Sequence, residues 1–397
     1  MTSHSRRAFL RHTALAGATI AVGAPLLAAC GDDAEPGAGS GGGEAGAGML
    51  TFGGLTALTG AGAGSGIPMQ EGTTVALEKL KADGRGIEAI FEDHKGDPVT
   101  AVGGYRKLVD QQKVPAIILG FSTVISATTP LADRDQVLLL NPSGTGANLE
   151  GLGKYLFNTE ALGSLHARAM GKYAYEQGKR RAGLLVVNND SGNPQAENFI
   201  KSFEDAGGEI VAQEKFEPNQ IEFGAQIAKI KPTDPDVMLV IGVVQETFYG
   251  IRRCVEAGIR TQYIANQGVE QAEANQIAGE ALEGVWYPAP VFDPKSTKPE
   301  VTDFVQRYQA KYNKAPIALA AQWFQAVNIL AEVADGRSEL TGEALRARIL
   351  EIKTFDGVTG RTVFQDNGTV LKPLYVKQIG PGFTQNVLTE LPPEYVS

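Results

Sequence analysis

Ala116-Ile117-Ile118-Leu119-Gly120-Phe121-Ser122-Thr123 and, a helix-length further on, Val137-Leu138-Leu139-Leu140-Asn141-Pro142-Ser143-Gly144-Thr145 decide the fold of this chain. Each begins with a short apolar run that lacks any polar position. A half-buried strand alternates, whereas a strand covered on both faces is apolar throughout. Between the two runs, Thr123 to Asp133 reads as a helix. Strand, helix and strand, with both strands doubly buried, is the pattern of a parallel sheet with helices on either face.

The same grammar extends in both directions. Upstream, Leu50 to Leu55 reads as a strand, Gly72 to Leu80 as a helix, Glu88 to Glu92 as a strand and Val99 to Gln111 as a helix. It restarts after Asn158, with strands at 183–187, 237–241, 262–265 and near Val285-Trp286, and helices at 162–177, 193–206 and 244–257. A long helical region from Glu300 to Ile352 and a β-rich tail from Val358 to Ile379 follow. The expected class is α/β, with two doubly wound parallel-sheet lobes. Such sheets bind ligands where the carboxyl ends of their strands face a cleft.

Composition narrows the function. The chain has 397 residues, 43% hydrophobic, which is enough for two domains with ample cores. Two cysteines exclude a disulfide scaffold, and a net charge of −9 argues against binding nucleic acid. Ser5-Arg6-Arg7-Ala8-Phe9-Leu10-Arg11 opens a basic segment of twin-arginine type, and an uncharged apolar stretch runs from Ala14 to Leu27-Ala28-Ala29-Cys30. Residues 1–29 therefore read as an export signal. The ending is similar to a bacterial lipobox, which implies lipid on Cys30 and a mature protein held at the outer face of the membrane. Removing 1–29 takes away three arginines and no acid, so the mature chain carries −12 and lipid would be its anchor. Residues 30–48 supply the lipidated cysteine and a Gly/Ala-rich tether.

Catalytic machinery is not legible. Only His94 and His166 remain after the signal, too far apart for a histidine metal site, and there is neither a G-x-S-x-G elbow nor a phosphate-binding loop. The run Glu92-Asp93-His94-Lys95-Gly96-Asp97 could be a cation site, but its interleaved His and Lys favour a solvated loop. The expectation is a binding protein without catalytic residues, metal or cofactor.

Short matches in a fixed order carry a resemblance. They are Leu58-Thr59-Gly60, Gln70-Glu71-Gly72 with Val75-Ala76-Leu77-Glu78, Glu92-Asp93 with Gly96-Asp97-Pro98, Leu119-Gly120, Pro142-Ser143-Gly144-Thr145, Glu256-Ala257-Gly258 and Phe355-Asp356-Gly357-Val358-Thr359-Gly360. Together they resemble type I periplasmic binding proteins over about residues 50–380, and most closely the leucine/isoleucine/valine-binding branch that serves ABC importers. The resemblance implies three crossovers near Asn158, Pro288 and Phe364. Lobe 1 would be 49–158 plus 289–364, and lobe 2 would be 159–288 plus 365–397. It also implies a small-molecule ligand, and permease and ATPase subunits as partners. A sensor of the same fold that signals to a membrane partner is the alternative.

Carried over by position, the ligand carboxylate falls to Ser122 and Thr123, which would otherwise simply cap a helix. The next loop offers Ser143 and Thr145, which would otherwise be a generic turn. Where the family places aromatic residues, this chain has Ser65, Ser191 and Val243, and Gln267 stands where amino-acid binders place the acid that meets the ligand ammonium. The pocket should be roomier unless Phe121 or Phe248 fills it. A ligand bearing a carbonyl, hydroxyl or second acceptor would suit Gln267 better than an ammonium.

Overall fold

The computed structural model describes residues 49–396 apart from Val244. The export signal, Cys30 and the tether lie outside the described residues. The first sheet is built from β1 (Leu50–Thr56), α1 (Ala63–Ala82), β2 (Ile87–Asp93), α2 (Pro98–Arg106), β3 (Ala116–Leu119), α3 (Ser122–Asp135), β4 (Leu138–Asn141) and β5 (Leu156–Asn158). Its strands are all parallel, in the order β2-β1-β3-β4-β5. The two runs that open the sequence reading are β3 and β4. Ile118, Leu138 and Leu140 enter the apolar core on one face of the sheet, whereas Ile117, Leu119 and Leu139 enter the core on the other. That double burial is why neither run shows a polar position.

The second sheet repeats the plan. It follows α4 (Gly163–Glu176) and comprises β6 (Arg181–Val187), α5 (Gly192–Asp205), β7 (Glu209–Phe216), α6 (Gly224–Ile230), β8 (Val237–Ile241), α7 (Gln245–Glu256), β9 (Gln262–Ala265), α8 (Ala272–Ala278) and β10 (Trp286–Pro290). The chain then forms α9 (Pro299–Tyr312), α10 (Ala318–Ala334), α11 (Gly342–Ile352) and a small sheet of β11 (Thr354–Phe355), β12 (Thr362–Phe364) and β13 (Val370–Leu371). Phe304, Trp323, Ile349 and Phe364 all join the core under the first sheet, so this later segment completes the first lobe. Finally β14 (Leu374–Gly380) and β15 (Thr384–Leu391) add antiparallel strands to the second sheet, whose order is β15-β14-β10-β9-β8-β6-β7. The result is a two-lobed α/β fold. The chain passes between lobes three times, after Asn158, after Pro290 and between Leu371 and Leu374.

Three local readings differ from the expectation, the first for a tertiary reason. Helix α1 begins at Ala63 rather than Gly72, through Gly64, Gly66 and Pro68. Those residues disfavour a helix in isolation, but packing demands glycine at Gly66 and Gly72. A Cβ on Gly66 would lie 1.8 Å from the Ala57 carbonyl oxygen, and one on Gly72 2.0 Å from that of Ala320 on α10. The long region 300–352 is three helices, broken at Asn313 and Gly336, both in left-handed conformation. Helix 99–111 keeps α-geometry only to Arg106 and ends in a wider π-turn over Lys107–Gln111. Cys254 is buried in the second core, and burial pushes its thiol pKa up to about 12. Among the described residues, no helix is long and apolar enough to cross a membrane.

Candidate functional site

Both sheets change winding direction at the same place. In the first, the chain moves from β1 outward to β2 and then back past β1 to β3. In the second, it moves from β6 to β7 and then to β8. The crevice beside such a switch point, at the carboxyl ends of the strands, is where an open α/β sheet leaves room for a ligand. All eight residues proposed from sequence lie in loops or first helical turns after those ends. Ser65 follows β1, Ser122 and Thr123 follow β3, and Ser143 and Thr145 follow β4; in the second lobe Ser191 follows β6, Val243 follows β8 and Gln267 follows β9.

The first-lobe site is organised around α3. Ser122 and Thr123 occupy its first turn rather than its cap. The capping position belongs to Phe121, whose side chain cannot accept a hydrogen bond. The opening amides of α3 thus receive no side-chain cap, at the end where the helix dipole is positive. Ser122 and Thr123 therefore do not serve as the N-cap of α3. Ser122 is half-buried and its Oγ accepts from the Gly146 N–H at 2.9 Å, tying α3 to the 142–146 loop; Thr123 is exposed.

Phe121 holds φ at +68°, a conformation that costs a bulky residue energy and persists where surroundings impose it. Gly120 precedes it for want of space: a Cβ there would lie 2.8 Å from Ser143 Oγ. The Phe121 ring meets His94 edge to face at 5.1 Å, whereas Phe248 is fully buried in the second-lobe core. Of the two aromatics considered for filling the pocket, only Phe121 stands at the site.

The loop after β4 is rigid. The Asn141 Oδ1 accepts from the amides of Ser143 (3.1 Å) and Gly144 (2.6 Å), and its Nδ2 donates to the Gly144 carbonyl and to Asn158. Ser143 Oγ accepts from the Trp323 indole N–H at 3.2 Å. The Thr145 carbonyl accepts from the Gly163 amide of α4, so this loop also touches the second lobe. Sequence reasoning missed Trp323. Set in an apolar helix it reads as core, which it is, and its indole N–H is the only sign of a second role.

In the second lobe Asn189 Oδ1 accepts from the amides of Ser191 (3.0 Å) and Gly192 (2.7 Å), and Asn266 bridges the β8 and β9 loops through the Gly242 carbonyl. Val243 is 57% exposed. Gln267 donates from Nε2 to Glu270 Oε1 at 2.6 Å. One of its two amide N–H groups is therefore engaged by a carboxylate one turn beyond it.

The acidic run at the end of β2 is structural. Asp93 accepts from the Leu58 and Lys95 amides and from the Thr59 hydroxyl, Asp97 caps α2, and Glu92 pairs with Lys107. A groove of about 460 Å³, lined by Lys79, Asp83, Arg85, Glu300 and Asp303 among others, includes none of the eight site residues.

His166 sits in the first turn of α4, buried, and burial lowers its pKa from the ordinary 6.5 to about 4. Its neutral form is the one the fold accepts, so stability is lost as pH falls from 6.5 toward 4. The full loss is about 3 kcal/mol at roughly 1.4 kcal/mol per pKa unit. Denaturant unfolding of wild type and His166→Gln across that range should converge in acid; parallel curves would contradict it.

Comparison with known proteins places this geometry. A family model described as periplasmic binding protein matches residues 50–384. The leucine-, isoleucine-, valine-, threonine- and alanine-binding protein of Pseudomonas aeruginosa is 25% identical over 320 residues, 78% of this chain and 84% of that one. Among solved structures, the branched-chain amino acid transporter substrate-binding protein LivJ of Streptococcus pneumoniae, in complex with isoleucine, aligns with a TM-score of 0.70 at 25% identity, covering 87% of this chain and 99% of that one. A solute-binding protein of an R. palustris ABC transporter, in complex with benzoate, shares the fold with a TM-score of 0.68 at 20% identity, covering 87% and 97%.

Proposed function

The chain belongs to the periplasmic binding protein family, and from that premise we propose that it is the extracytoplasmic solute-binding subunit of an ABC importer. Its two lobes would close on a small carboxylate-bearing or amide-type metabolite. The observation that carries this reading is the placement of all eight residues at the strand carboxyl ends beside both switch points. A ligand that touches both sets favours the closed form by the contacts it gains there. The lobe boundaries expected from sequence, 49–158 with 289–364 and 159–288 with 365–397, are part of the same reading.

The carboxylate would take the open amides of α3 with Ser122 and Thr123, and Ser143 and Thr145 would line the adjoining wall. Ser65, Ser191, Val243 and Gln267 would form the remainder. Gln267 would offer its carbonyl oxygen, polarised by the bond from one of its amide N–H groups to Glu270. That arrangement is less hostile to a ligand ammonium than a lone glutamine, so amino acids stay in the candidate set.

Thermal unfolding against L-leucine, its keto-acid analogue, benzoate and acetamide tests the reading. Ligand at 100 times its Kd adds about 2.7 kcal/mol, so at least one carboxylate should raise the midpoint measurably. Failure of the whole panel to move it would remove the carboxylate assignment. Leucine without its keto acid would identify the ammonium as recognised. Lipid on Cys30 would hold the protein at the membrane, and Cys30→Ser should release it to the soluble fraction. Retention of that variant in membranes would remove the lipobox reading.

A further inference from the structure

The deepest ion pair among the described residues is not in the site. Glu160 lies in the link between β5 and α4, and Lys372 in the link between β13 and β14. Each link joins an element of one lobe to an element of the other. Val370, two residues before Lys372, belongs to the first-lobe core, and Leu374, two residues after it, belongs to the second. The side chains of Lys372 and Glu160 are 1% and 5% exposed.

The ammonium is fully used. Lys372 Nζ donates to the Glu160 carboxylate, to the Thr159 carbonyl at 3.0 Å and to Thr359 Oγ1 at 2.7 Å, three hydrogens for three acceptors. Thr359 Oγ1 in turn donates to Gln325 Oε1 on α10 at 2.7 Å. The Asn158 amide, at the start of the first link, donates to the Gly368 carbonyl at 2.8 Å beside β13. Two of the three inter-lobe links are thus tied together at one buried point and anchored to a first-lobe helix. The third link, 291–298, takes no part in that network.

We propose that the Lys372–Glu160 pair is the pivot of lobe movement and sets the resting opening of the cleft. This inference rests on the reading of the protein as a two-lobed binding protein that closes on its ligand. A buried pair of this kind contributes little net stability, because desolvation offsets the attraction. Its effect is geometric. Two links that share one fixed point can turn only about that point, whereas two free links can twist independently and allow a wider range of openings. Ligand affinity then falls with the fraction of molecules in a binding-competent geometry.

The test measures the gap between lobes without ligand. Nitroxide labels at Asn148→Cys and Asp190→Cys sit on exposed residues beyond β4 and β6; Cys254 is buried and does not compete, and Cys30 is replaced by Ser. Pulsed electron–electron distance measurement on frozen protein should give a broader distribution for Glu160→Leu/Lys372→Met than for wild type. L-leucine affinity, where wild type binds it, should fall roughly 5–150-fold, the usual range for coupled sites. A distribution that superimposes on wild type overturns the proposal. Should the double variant not fold, Thr359→Val keeps both charges and removes one acceptor, and it should broaden the distribution in the same sense; unchanged width there overturns the proposal too. Simple destabilisation lowers the melting midpoint without moving these distances. Failure of the wild type to bind leucine or benzoate would count against the functional reading alone, since the distances need no ligand.

Discussion

Lys372→Met with Glu160 left in place is expected to destabilise the protein by about 3–5 kcal/mol, the cost of an uncompensated buried charge. The Glu160 carboxylate loses its cation in a place water does not reach, and the Thr159 carbonyl and Thr359 hydroxyl lose the same donor. Burial already pushes the Glu160 pKa up and the Lys372 pKa down, each against the attraction of its partner. Without Lys372 the upward push of burial loses its main opponent, and only hydrogen bonds from Thr359 and Gln322 still hold the Glu160 pKa down. A carboxyl whose folded pKa lies above its unfolded value favours the fold when protonated, so the variant loses stability as pH rises through the folded pKa. Urea unfolding should therefore show a smaller deficit in mildly acidic buffer than at neutral pH. Glu160→Leu/Lys372→Met should recover most of the loss, because removing both charges leaves neither unpaired. An equal deficit in single and double variants would mean that the damage is to packing and not to charge.

Ser122→Ala with Thr123→Ala is expected to weaken binding of a carboxylate probe, L-leucine or benzoate, by roughly 1.5–3 kcal/mol for each charge-assisted hydrogen bond removed. The two hydroxyls are not equivalent. Ser122 also accepts from the Gly146 amide, so its loss loosens the loop that carries Ser143 and Thr145. Thr123 is exposed and has no such duty, which makes Thr123→Ala the cleaner measure of ligand contact. Calorimetric titration of wild type and the two variants should place Thr123→Ala between wild type and the pair, with heats of unfolding unchanged for that single variant. Wild-type affinity in the double variant would move the carboxylate site away from α3.

Much of this was legible before any coordinates. Strands buried on both faces announce themselves because every position must be apolar, so β3, β4 and β8 stand out in the sequence and lie between paired cores in the fold. The order of short motifs was enough to place eight residues in loops that prove to lie after the strand carboxyl ends. The acidic run at 92–97 reads as a solvated loop, whereas Glu92 and Asp93 close β2, His94 is buried and each of those carboxylates has a structural partner. What failed locally was α1. Gly64, Gly66 and Pro68 look like a turn to any reading based on propensity, and the reason for Gly66 is a backbone oxygen 1.8 Å from where a side chain would begin.

The amino-acid sequence by itself determined the class of fold, since periodicity and the alternation of strands with helices are local properties. Tertiary structure alone decided the rest. Phe121 holds a left-handed conformation against His94, Trp323 reaches from a core helix to Ser143, and Lys372 meets Glu160 across 212 residues. Each of these is a contact between segments whose separation in the chain carries no signal. Their chemistry exists only once two sheets have brought the segments together and excluded water between them.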